Sequence, residues 1–113
     1  MLNKEIQTTT FKIAPVIEKE LIQRVIDDGL GMRGKSKWIA IAIQQLLNIT
    51  NFPELVDLAS DMENQGKTIS IRLSKELVKE IDQAVIAVRK IFPQMEGVRS
   101  HIIRASIMQE LLK

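Results

Sequence analysis

The chain carries an internal repeat. Residues 8–13, TTTFKI, and residues 68–73, TISIRL, align at an offset of 60, and each alternates apolar with polar side chains. Thr9, Phe11 and Ile13 point to one face of an extended strand, as do Ile69, Ile71 and Leu73. Thr8, Thr10 and Lys12 point to the other face, with Thr68, Ser70 and Arg72 in the second copy. At the same offset Ile17 and Leu21 match Leu77 and Ile81. Each pair opens a helical spacing, Ile17, Leu21, Val25 in one copy and Leu77, Ile81, Val85, Val88, Phe92 in the other. Pro15 suits the first turn of the earlier helix, and Ser74 can cap the later one. The two helices should stop in the glycine cluster Gly29, Gly31, Gly34 and in residues 93–97. A second helix then starts near Ser36 or Ser100, with Ile39, Ala42, Ile43, Leu46, Leu47 in one copy and Ile103, Ser106, Ile107, Leu111 in the other. Here the offset has grown to 64, which assigns four extra residues to the later inter-helix loop, where insertions are tolerated.

Between the copies, Pro53 followed by Leu55, Val56, Leu58, Ala59 and Met62 predicts a short acidic helix ending at Gly66. The expected organisation is a first copy over 7–49, a connector over 50–66 and a second copy over 67–113. A lone strand cannot satisfy its own backbone, and about 45 residues cannot bury a sufficient core. The two copies must therefore share one core. Antiparallel pairing of the strands would lay Phe11, Ile13, Ile69, Ile71 and Leu73 on the four long helices and leave a polar face outside. The expected fold class is mainly α with a short two-stranded antiparallel ribbon.

Composition narrows the chemistry. The chain has no Cys and one His, so a disulfide framework, a Cys-His zinc site and a thiol-imidazole nucleophile pair are out of reach. Neither a cofactor nor a catalytic role is expected. No apolar run approaches the roughly 20 residues that span a bilayer, and the N-terminal ten residues lack the apolar stretch of a secretory signal. A cytoplasmic protein with no membrane partner is the expectation. The formal net charge of +2 conceals its distribution. Residues 1–50 hold seven basic and five acidic groups, residues 51–66 hold Glu54, Asp57, Asp61 and Glu63 alone, and residues 67–113 hold nine basic and five acidic groups. Two basic blocks flank one acidic connector.

One alternating strand followed by two helices, the second opening with a Ser and an Ile three residues later, resembles the ribbon-helix-helix (Arc/MetJ-like) family of DNA-binding proteins. The resemblance covers residues 8–49 and 67–112 in two copies, as in the tandem TraY-like members that serve in conjugation. It implies a tandem ribbon-helix-helix in one chain, with the ribbon in the major groove of double-stranded DNA. The implied base-reading residues are Thr8, Thr10, Lys12, Thr68, Ser70 and Arg72. Arg72 could clamp guanine O6 and N7, Lys12 could reach the same acceptors, and the hydroxyls could donate or accept. The start of each second helix, Gly34, Lys35, Ser36, Lys37 in one copy and Arg99, Ser100, His101 in the other, would bind phosphate. The role implied is a sequence-specific regulator of transcription of plasmid or mobile-element genes, or an accessory factor in conjugative DNA processing. A homodimer on DNA is the expected assembly. The acidic connector should lie away from DNA, available to a protein partner.

Residues 29–36, GLGMRGKS, also match the P-loop pattern G-x-x-x-x-G-K-[ST] of nucleotide hydrolases. That motif requires a buried strand before it, whereas residues 17–26 read as an amphipathic helix. Ser36 and Ser100 also suit simple helix caps, and His101 reads as a surface residue at a helix start. Trp38 is expected to pack, and Asp27 and Asp28 to end a helix in solvent.

Overall fold

A computed structural model describes residues 5–31, 33–60 and 66–113. The elements run β1 (Ile6–Ile13), α1 (Pro15–Asp27), α2 (Lys35–Leu47), α3 (Phe52–Ser60), β2 (Lys67–Ser74), α4 (Lys75–Ile91) and α5 (Val98–Leu111). The protein is thus mainly helical, with one two-stranded antiparallel sheet.

The strands pair in a register that runs from Ile6 opposite Ser74 to Ile13 opposite Lys67. Alternation decides their facing: Thr9, Phe11, Ile13, Ile69, Ile71 and Leu73 are all buried, and the residues between them are exposed. A slip of one strand by one residue would turn that strand's buried side chains outward, so the pattern pins the register. Gly66 permits the approach that starts β2, since a Cβ there would lie 1.8 Å from the Ile13 carbonyl oxygen.

Each strand runs straight into a helix. Pro15 occupies the first turn of α1, and the Ser74 hydroxyl accepts from the Leu77 N–H at 3.2 Å to cap α4. Helix α1 ends at Asp27, and Gly29 turns the chain with a φ of 81° that favours glycine. The four extra residues of the second copy do not lengthen its loop. They lengthen the helix, since α4 has 17 residues where α1 has 13, and the connections cover 92–97 and 28–34. Four residues are close to one helical turn, so the added turn continues the same apolar face and buries Val88.

Neither Ser36 nor Ser100 caps its helix. Gly34 and Gly97 hold those positions without a side-chain cap, Gly97 in the left-handed conformation at φ 62°. Both serines fall inside the first turn because each helix begins before them. Helix α5 is the centre of the molecule, touching α1, α2, α3, α4 and β1. Residues 101–107 along it are all buried. Val56 and Ala59 bury α3, which rests on α5 and α4. The predicted connector residues Asp61, Met62 and Glu63 lie outside the described residues. One hydrophobic cluster draws on both ends of the chain, from Phe11 and Leu21 to Ile102 and Ile107. Among the described residues no helix is long and apolar enough to cross a membrane.

Candidate nucleic-acid interface

The ribbon presents one continuous polar face. Thr8, Thr10, Lys12, Thr68, Ser70 and Arg72 are all exposed on it. They stand in three cross-strand pairs, Thr8 with Arg72, Thr10 with Ser70 and Lys12 with Thr68. Neither Lys12 nor Arg72 meets a carboxylate across the ribbon, so the face carries positive charge among hydroxyl groups. Such a surface can donate to acceptor edges or to phosphate oxygens.

Each second helix meets one outer edge of this ribbon, by a different contact. On the β2 side the Arg72 N–H donates to the Ser36 hydroxyl at 2.9 Å. That bond occupies Ser36, and Gly34 is packed so closely that a Cβ would sit 2.4 Å from the Leu30 Cβ. The freely presented cation of this stretch is Lys37, which is exposed. Lys35 is half-buried and lies with Ile22, Val25 and Ile26 along α1, its stem on apolar surface as long basic side chains allow. On the β1 side the Arg104 Nη1–H donates to the Lys12 carbonyl at 3.0 Å.

The residues expected as the second phosphate-binding set are only partly brought together. Ser100 and His101 join Thr10, Lys12 and Thr68 around one pocket. Arg99 turns away from it to pair with Asp82 of α4 at 2.5 Å. His101, expected at the surface, is buried, because α5 threads the centre of the fold and carries its first turn beneath the ribbon. Its Nδ1 lies 2.6 Å from Nη2 of Arg104. Since the guanidinium can only donate, Nδ1 accepts and the imidazole is neutral. Desolvation, with Arg104 beside it, holds the His101 pKa below the ordinary imidazole value, against the pull of a backbone hydrogen bond to Glu96.

A pH dependence follows. Above the ordinary value of 6.5 His101 is neutral in both folded and unfolded chains, and its contribution to stability is complete. As pH falls below that value the unfolded chain binds the proton first, so stability declines until the folded imidazole also titrates. Thermal melts between about pH 7.5 and 5 should show this loss, and His101→Gln should flatten it. An identical slope in the variant would assign the loss to other groups.

Arg104 itself escapes a sequence reading, although a lone basic residue inside the apolar run HIIRASI is the signal that could have found it. Trp38 is buried as expected, and its indole N–H donates to Asp28 Oδ2 at 2.8 Å. Asp28 therefore anchors the α1–α2 turn as well as ending α1. The P-loop-like stretch 29–36 follows helix α1, where that motif requires a strand. Among the described residues no three His, Asp or Glu side chains gather as a metal site. Comparison with protein-family models, curated proteins and solved structures finds no match to the chain.

Proposed function

We propose that the chain is a tandem ribbon-helix-helix DNA-binding protein that regulates transcription by laying its ribbon in the major groove. The observation that carries this reading is the register. Thr10 faces Ser70, its own counterpart in the repeat. The pairs Thr8–Arg72 and Lys12–Thr68 exchange under the same half-turn. The ribbon thus has an approximate two-fold axis through its centre, as a reader of two related half-sites requires. Two paired strands about 5 Å apart fit a groove about 12 Å wide. Arg72 and Lys12 then reach base acceptors, and the hydroxyls of Thr8, Thr10, Thr68 and Ser70 complete the row. Lys35, Lys37 and the start of α2 flank the ribbon where a phosphate backbone would run.

Selection of bound duplexes from a random library tests the reading directly, with enrichment of one sequence expected and enrichment of none contradicting it. Lys37→Ala, at the exposed cation of this stretch, should weaken all duplexes about equally and lower the slope of log affinity against log salt by about one, the signature of a lost phosphate contact. A change of sequence preference in that variant would place Lys37 among base-reading residues.

A further inference from the structure

Among the described residues Arg104 is a buried cation without a counter-ion. Only 3 % of its surface is exposed. Two of its donors are used, on the Lys12 carbonyl and His101 Nδ1, and its Nε–H has no hydrogen-bond partner among the described residues. A guanidinium offers five N–H donors and does not shed its charge. A charge held this way is strongly unfavourable unless something answers it. Burial lowers the Arg104 pKa with no carboxylate acting in the other direction.

Arg104 lines a pocket of about 450 Å³ between the ribbon and the start of α5, together with Lys12, Gly97, Ser100 and His101. The α5 amides before His101, whose own N–H bonds the Gly97 carbonyl at 3.1 Å, are the unpaired donors of a helix N-terminus and add its positive dipole. Among the described residues Glu96 is the one carboxylate at the pocket; it is exposed and forms no ion pair with Arg104. The first half of the chain has no such arrangement, since Ala40 stands where the offset of 64 would place a counterpart of Arg104.

We propose that this pocket binds a free small oxyanion, inorganic phosphate or the phosphate group of a small molecule, with Arg104 as its principal ligand. Ser100, Lys12 and the first amides of α5 complete the donor set. The site shares Lys12, Ser100 and the start of α5 with the DNA reading, and a DNA phosphodiester has the same chemistry, so the test separates the two sources.

The full chain is titrated with inorganic phosphate without DNA, at ionic strength held constant with sodium chloride, and followed by melting temperature and by phosphorus-31 line width. A saturable response is expected. Arg104→Met should abolish it. Ser100→Asp, which places a carboxylate beside the guanidinium, should raise the melting temperature without phosphate and lower phosphate affinity at least about tenfold. Because Ser100→Asp keeps every Arg104 contact, it stands as a test even if Arg104→Met does not fold. No saturable response in the native chain, or an undiminished one in Ser100→Asp, overturns the proposal. Random-sequence duplex is titrated in parallel. Binding of duplex without a response to phosphate refutes the free-oxyanion site and leaves the DNA reading standing, whereas a phosphate response without duplex binding does the reverse.

Discussion

Replacing Thr10, Lys12, Ser70 and Arg72 together by alanine should erase the distinction between a specific and a random duplex while leaving the helical content unchanged. All four side chains are exposed on the outer face of the ribbon and none belongs to the buried cluster. The Ser36 contact survives the change because it uses the backbone N–H of Arg72. Each well-placed base contact contributes about 1–3 kcal/mol of discrimination, so losing two basic and two hydroxyl contacts should lower the ratio of specific to random affinity by about 100-fold or more. Competition binding measures that ratio, and far-ultraviolet circular dichroism checks the fold. A variant that keeps its preference would remove the ribbon from base reading.

The largest effect on stability is expected one position away. Ile71 is fully buried at 0 % exposure, beside exposed Arg72 on the same strand. Ile71→Ala should cost about 2–5 kcal/mol through lost transfer energy and the cavity left behind. Small domains hold only about 5–15 kcal/mol in total, so this change removes a large share of it. Arg72→Ala should stay within about 0.5 kcal/mol of the native chain, as surface changes do. Urea denaturation of the two variants compares them, with a lower midpoint expected for Ile71→Ala alone. Equal midpoints would mean that the inner face of the ribbon does not close the core.

The strands were the most legible elements because their period of two has no competitor over six residues, and burial follows it residue by residue from Thr8 to Ile13 and from Thr68 to Leu73. Helix α4 was legible in its face and in its end, because the apolar spacing reaches Phe92 and the helix closes at Ile91. The offset that grows from 60 to 64 assigns four residues to the loop instead, since it says that they were added without saying where, and the backbone places them in the helix. Helix α5 was the hardest to read. A helix enclosed on nearly every side has no polar stripe to set against an apolar one, so position in the sequence could not tell that His101 and Arg104 would be inside. The candidate site divides in the same way: the ribbon residues were readable from alternation, while their meeting with Ser100, His101 and Arg104 required the packing of α5.

Alternation, helical spacing and repetition are properties of neighbours along the chain. They suffice to determine two strands, each followed by helices, and which side of each strand must be dry. Which ends of those helices come to rest under the ribbon, and with which charges, depends on contacts between residues as far apart as Lys12 and Arg104. The tertiary structure alone decided that one edge of the ribbon is tied by a hydroxyl and the other by a buried guanidinium. The cost of burying that charge is set by what surrounds it in space, and no local pattern encodes it.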